Sequence, residues 1–395
     1  MNEYNMTHDH HPSFCTNCIL PDGFIGLKLN ENGLCNFCQD PSYKNENWAK
    51  IEISEEQRHH GKKKWEKITS KIQKSHGHIP YDCLIGYSGG KDSTALVDTF
   101  VEKYDLTPFL VTIDTGFMTK VAKQNIKDTL TKMNLYENHI LIEEAIPTFT
   151  KLYRYFFMNH TSRTKTLTVE ICHQCTDLIH TILIKEAMKR GIPYVIIGFS
   201  PDQIARYFFE TSREDIIKDG IPNPHLAEIL DEDDKKWYLY LDEITTENTH
   251  LPEIYYPYHV IDYNESEIIE RIESKGLIQT GKSDPVLTNC HVVKAALMYD
   301  LYRYGGVTYA LQYAELVRQE IEEKAHRRTR KSWMRLYKQI AKSILEGLFD
   351  SDGIAYFFHN IGVSQEQLLY VIQNQREADP AAEAIHKNIE ALKRG

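Results

Sequence analysis

Through the first half of the chain, short apolar runs alternate with longer stretches of helical period. Cys83–Tyr87, Phe109–Ile113, His139–Ile142 and Tyr194–Ile197 are nearly continuous in apolar and β-branched side chains and read as strands buried on both faces. Between them run helical patterns over about 92–103, Val121–Met133 and most of 148–190. Strands separated by helices of this length require right-handed crossovers, so the pattern predicts an α/β fold built on a doubly wound parallel sheet. Upstream, residues 54–76 form an amphipathic linking helix with Glu55 and Glu56 at its start and Lys74 at its end, matching the helix dipole. Residues 205–260 show no period and read as irregular. From Glu265 onward the chain is almost wholly helical, with helices expected near 265–275, 290–303, 308–325, 331–348, 365–374 and 380–393. In the first segment, Phe24–Leu29 alternates enough to predict a short strand between the turns Pro21-Asp22-Gly23 and Asn32-Gly33. The expected organisation is a cysteine ribbon with a polar start (1–50), a linking helix (51–80), an α/β domain (81–260) and a helical region (261–395).

Composition narrows the function classes. With 395 residues, 42% hydrophobic and 26% charged, the chain has the make-up of a soluble protein of two to three domains. It contains neither an apolar run of membrane-spanning length nor a cationic start followed by an apolar stretch. A cytoplasmic protein with no membrane partner is therefore expected. Lys and Arg total 46 against 56 Asp and Glu, a net charge of −10, which excludes a uniformly basic nucleic-acid binder. One stretch runs the other way. Lys324, Arg327, Arg328, Arg330, Lys331, Arg335, Lys338 and Lys342 occur without an acid among them, and Trp333 and Tyr337 lie between. Such a stripe suits phosphates with bases stacked on aromatics; the same pattern also fits a solvated helix face whose aromatics point inward.

The cysteines carry more. Cys15, Cys18, Cys35 and Cys38 form two C-x2-C knuckles, the spacing of a structural zinc (Zn2+) site held by four thiolates. Cys172 and Cys175 form a third C-x2-C whose nearest further thiol is Cys290. Three thiolates without a fourth fit an iron–sulfur cluster with one iron open. A redox dithiol, or a zinc completed by His173 or His291, are the alternatives. Cys83 sits in an apolar run and reads as a core thiol.

The segment with the clearest chemistry is Ser88-Gly89-Gly90-Lys91-Asp92-Ser93-Thr94, between a strand and a helix. Two glycines admit an anion close to the backbone, the helix start offers amides and a favourable dipole, and Lys91 adds a cation. The spacing is not that of a Walker A loop, because Lys91 stands where that motif requires glycine.

This heptad resembles the signature of the PP-loop ATP pyrophosphatases, and residues 81–205 are similar to that family throughout. The resemblance implies that Ser88, Gly89, Gly90, Lys91, Asp92, Ser93 and Thr94 hold the pyrophosphate of ATP with Mg2+ while a substrate oxygen is adenylated. It places Asp114, in Ile113-Asp114-Thr115-Gly116-Phe117, against the nucleoside. Gly198-Phe199-Ser200-Pro201-Asp202-Gln203-Ile204-Ala205 looks like a departed form of a further family element; Gly198, Asp202 and Ala205 match it, and Asp202 would orient magnesium or substrate. A cysteine ribbon ahead of the loop and three cysteines in the order Cys172, Cys175, Cys290 resemble the cluster-dependent tRNA thiolation enzymes. In that group three cysteines hold a [4Fe-4S] cluster whose open iron carries sulfide, although several members have a second, C-terminal ribbon and this chain has no cysteine after Cys290. Cys15-x2-Cys18-Ile19-Leu20-Pro21 and Asn32-Gly33-Leu34-Cys35-Asn36-Phe37-Cys38 are also similar to the N-acetyl sugar amidotransferases, in which ammonia displaces AMP. The expectation is an adenylating enzyme using Lys91, Asp92, Asp202, Cys172 and Cys175, acting on a tRNA or a sugar nucleotide with a sulfur or ammonia donor. It is compatible with a homo-oligomer, and a non-catalytic nucleotide-sensing scaffold is the rival class.

Overall fold

The computed structural model describes residues 13–43, 55–77, 80–200, 213–240, 251–288, 290–323 and 329–394. They fall into two compact units. One takes its residues from 1–49, 157–170 and 294–395, the other from 50–156 and 171–293.

The second unit holds the sheet. Strands β1 (Cys83–Gly86), β2 (Pro108–Ile113), β3 (His139–Ile142), β4 (Tyr194–Ile197) and β5 (Glu253–Tyr255) lie in the order β3-β2-β1-β4-β5, every pair parallel. Central β1 and its neighbours are buried throughout, as strands covered on both faces should be. Helices α1 (Glu55–Ser75), α2 (Lys91–Asp98), α3 (Lys120–Met133), α4 (Ile146–Asn159), α5 (Leu167–Arg190), α6 (Arg213–Gly220) and α7 (Glu265–Ser274) accompany it, α4 and α5 running on into the other unit. Trp65 and Ile72 of α1, Ile85 of β1, Leu96 of α2 and Ile196 of β4 share one buried core. Cys83 is fully buried there, as its apolar run implied.

The first unit is helical around the cysteine segment: α8 (His291–Tyr304), α9 (Tyr309–Glu323), α10 (Arg330–Leu345), α11 (Ser351–Ile361), α12 (Gln365–Glu377) and α13 (Ala382–Arg394), with one-turn segments left unlabelled. Phe157, Tyr299, Phe357 and Phe358 pack edge to face at its centre. Buried Asp300 accepts hydrogen bonds from the Leu167 amide and the Thr168 and Thr308 hydroxyls, and burial pushes its carboxyl up to about 6. Together these elements make an α/β protein with a parallel five-stranded sheet, a four-cysteine group and a helical C-terminal part, consistent with a PP-loop domain.

Three expectations are corrected. Phe24–Leu29 is not a strand: Phe24–Gly26 is a 3-10 turn in which Gly23, Ile25 and Gly26 all have positive φ, leaving one isolated bridge at Leu29–Cys35. The stretch read as irregular contains helix α6, two one-turn helices and β5, a three-residue edge strand too short for any alternation to register. Helix α11 was not among the expected helices. Asp350 precedes it at φ 46, and Gly353 is buried within it.

Candidate functional site

The phosphate loop leaves β1 at Gly86 and enters α2 with Gly90 as N-cap. Its shape is imposed from outside. Gly89 has φ 72, and a Cβ there would stand 2.5 Å from the Ala122 carbonyl oxygen and 2.8 Å from Ile126 Cγ1. Only glycine fits, on conformation and on space alike. Buried Asn125 donates from Nδ2 to the Gly89 carbonyl at 3.0 Å, so α3 clamps the loop from the side. Within the loop, Ser88 Oγ and Ser93 Oγ are 3.2 Å apart, Ser93 Oγ donates to the Gly90 carbonyl, and Thr94 lies 3.5 Å from the Tyr87 hydroxyl. Gly198, at the end of β4, is a second close approach: a Cβ there would lie 3.1 Å from the Ser93 backbone nitrogen. The structure therefore brings Gly198 to the first turn of α2. Asp202 lies outside the described residues.

Lys91 and Asp92 form a buried ion pair, Nζ to Oδ2 2.8 Å. The Tyr263 hydroxyl bridges them: it accepts from Lys91 Nζ at 3.1 Å and donates to Asp92 Oδ1 at 2.8 Å. Glu265 approaches the same ammonium at 3.3 Å, and Tyr258 donates to the Asp92 carbonyl at 3.1 Å. Sequence reasoning missed Asn125, Tyr258, Tyr263 and Glu265. Nothing in the spacing of the two tyrosines ties them to the loop.

Asp114, at the end of β2, is buried. Its Oδ1 accepts from the Gly116 amide at 2.8 Å and its Oδ2 pairs with Lys123 at 2.6 Å. The segment it begins leads to the second group of cysteines. The ring of Phe117 packs edge-on against Tyr153, whose hydroxyl lies 3.0 Å from Cys175 Sγ. The Phe117 carbonyl accepts the amide of His291, next to Cys290, at 3.0 Å. Cys172 lies one turn before Cys175 on α5. The nucleoside segment, Cys175 and Cys290 are thus tied to one place in one unit, and Tyr153 is a residue the sequence gave no signal for. Burial pushes the Cys175 thiol up to about 12; the Tyr153 bond opposes this and the nearby Cys290 adds to it. As a bare thiol it stays protonated at neutral pH.

The two cysteine groups differ in geometry. Cys15, Cys18, Cys35 and Cys38 have their sulfurs within 4.8 Å of one another, and Cys18 and Cys35 are 3.6 Å apart. A single ion with metal–sulfur bonds of about 2.3 Å needs thiolates about 3.8 Å apart, so this group fits a metal-binding ribbon. Amides of Leu20 and Cys35 point at Cys18 and Cys15 sulfurs. Crowding splits the four titrations: hydrogen bonds from Cys18, then Cys35, draw the Cys15 thiol down, while its bond to Cys15 drives Cys18 up. Among the described residues, Cys172, Cys175 and Cys290 do not form a group that tight.

The basic stretch is corrected in part. Tyr337 is fully buried and Trp333 stacks on Tyr313 at 4.8 Å, so the aromatics face the core and offer no platform for bases. Arg330 is spent on the ribbon: its guanidinium donates to the Cys18 and Cys15 carbonyls, both at 2.6 Å. Lys324, Arg327 and Arg328 lie outside the described residues. Because Arg330 fixes both carbonyls of the first knuckle, Arg330→Gln is expected to weaken metal retention about 10–100-fold, read by competition with a chromogenic chelator.

No family model matches the chain. An uncharacterised protein of Methanocaldococcus jannaschii is 28% identical over 137 residues, which is 35% of this chain and 44% of that protein, so the match spans less than half of the relative. Among solved structures, the U34-tRNA thiolase NcsA from Methanococcus maripaludis with its [4Fe-4S] cluster is similar at 14% identity and a TM-score of 0.34, over 83% of this chain and 88% of that one. A likeness that loose carries no functional argument.

Proposed function

We propose that the chain is an ATP-dependent adenylating enzyme of the PP-loop pyrophosphatase kind that passes sulfur to a carbonyl of a nucleotide-containing substrate, tRNA foremost. The phosphate loop carries this reading. Gly89, held at φ 72 against α3, shapes a tight loop between strand and helix, and the buried Lys91–Asp92 pair sits at the start of the helix it opens. In the first step the substrate oxygen attacks the α-phosphorus of ATP, and the bond to pyrophosphate breaks. Ser88 to Thr94 hold the leaving pyrophosphate with magnesium, Lys91 neutralises its charge, and Asp114 orients the nucleoside; Asp202 is assigned to magnesium or substrate. In the second step sulfur attacks the activated carbon, AMP departs with the original oxygen, and a thiocarbonyl remains.

Cys172, Cys175 and Cys290 would hold the cluster, which when bound supplies an open iron for a sulfide. The convergence of Cys175 and Cys290 on the Phe117–Tyr153 contact supports this assignment over a sulfur site remote from the nucleotide. Tyr153 directs a hydroxyl at the Cys175 sulfur, and the four N-terminal thiols are assigned a structural zinc ion.

Anaerobic purification with iron, sulfide and zinc analysis tests the reading. We expect one zinc, and iron and sulfide near four each, the iron lost in Cys290→Ala while zinc stays. A colourless protein with zinc alone that still transfers its group would overturn the sulfur assignment and favour amide transfer.

A further inference from the structure

Helix α10 divides its charge by face. Tyr337, Ile340, Ala341 and Ile344 are buried along one side. Lys331, Arg335, Lys338 and Lys342, spaced four, three and four residues apart, share the other within about 60° of arc. At 1.5 Å per residue the row is about 16 Å long. Lys331 and Arg335 are exposed, Lys338 and Lys342 half-buried along their stems, and Lys338 lies over the Phe14 ring. Among the described residues no ion pair engages any of the four, and no acid occurs between Thr329 and Leu345. Like charges at these spacings repel by a few tenths of a kcal/mol per pair. The chain therefore sustains an unfavourable row of cations on a protein whose net charge is −10.

We propose that this face of α10 is the docking surface for the phosphate backbone of a structured RNA; the choice of RNA rests on the sulfur-transfer reading above. A regular row of cations about 5–6 Å apart matches a polymer with regularly repeating anions. A lipid surface is a poorer match, because an interfacial helix must insert its apolar side and that side of α10 is buried in the protein. With Trp333 and Tyr337 turned inward, the contact is to phosphates and carries no base preference.

The test uses the full-length, metal-loaded protein and bulk tRNA in filter binding from 50 to 200 mM salt. The variant is K331Q/R335Q/K338Q/K342Q, and the control is K387Q/K393Q, whose lysines are paired with Glu383 and Glu390. The wild type is expected to bind, and the quadruple variant to lose tenfold or more in affinity. Its slope of log K against log salt should fall by about three if four phosphate contacts are lost. Unchanged affinity and slope, or a wild type that does not bind tRNA, overturns the proposal. Equal competition by polyglutamate or by anionic vesicles overturns it in favour of another partner. Metal content and melting temperature establish that the variant is folded. MgATP binding, measured in parallel, separates the two readings: its loss in the wild type defeats the enzymatic proposal and leaves this surface standing.

Discussion

Asp92→Asn is expected to slow ATP-dependent pyrophosphate release about 10²–10³-fold, and Lys91→Met to do the same, measured with a coupled pyrophosphate assay under saturating MgATP. The magnitude is that of removing one preorganised charge from a site where charge develops. The mechanism differs between the two. Lys91→Met removes the cation proposed to meet the pyrophosphate. Asp92→Asn leaves that cation in place but frees it from the partner 2.8 Å away and replaces one of the two groups that the Tyr263 hydroxyl bridges. Removing one member of a buried pair also destabilises, by about 3–5 kcal/mol in the interior. Thermal unfolding must therefore be measured alongside activity. A folded Asp92→Asn protein with unchanged release would defeat the catalytic role given to Asp92, and a wild type that releases no pyrophosphate would leave the loop as a nucleotide sensor.

Cys35→Ser, or removal of metal by a strong chelator, is expected to unfold the ribbon and lower the melting temperature of its unit by roughly 10 °C or more. Isolated zinc-finger peptides draw about 10–16 kcal/mol of apparent folding energy from the metal. For a unit of this size, retaining a loss of even about 4 kcal/mol means a fall of roughly 8–16 °C. Apart from the bonds it receives from Arg330 and Asn388, the ribbon has little of its own to hold it. Its core is Ile19, Leu20, Phe24 and Leu27, with a 3-10 turn, short bridges and no sheet. Differential scanning calorimetry with metal analysis checks this. A Cys35→Ser protein that loses its metal yet melts as before would show the four thiols to be dispensable for the fold.

The parts of this molecule that were legible in sequence share a physical cause. Strands β1, β2 and β4 are buried almost throughout, so their apolar runs are unbroken, and Gly89 of the loop is demanded by a close contact and a positive φ. Each is a local requirement that fixes a residue type. The parts that were not legible are those set by distant partners. Lys91 meets Tyr263 across 172 positions and Tyr153 meets Cys175 across 22, and a tyrosine that bridges a charged pair looks in sequence like any buried tyrosine. Ile25 adopts a left-handed backbone that its side chain disfavours, because the knuckle on either side dictates the turn. The cationic stretch was legible as charge but not as orientation. Only the packing of α10 shows that Arg330 serves the ribbon, that the aromatics serve the core, and that four cations remain on the outer face.

The bonds from Arg330 to Cys15 and Cys18 span 315 and 312 positions, and Asn388 donates to the Asp22 carbonyl across 366. At about 5–20 residues per second of synthesis, the ribbon emerges roughly 16–63 s before the helix that clamps it exists. Through that interval any metal that the two knuckles take up is held without those clamps, by the four thiols alone.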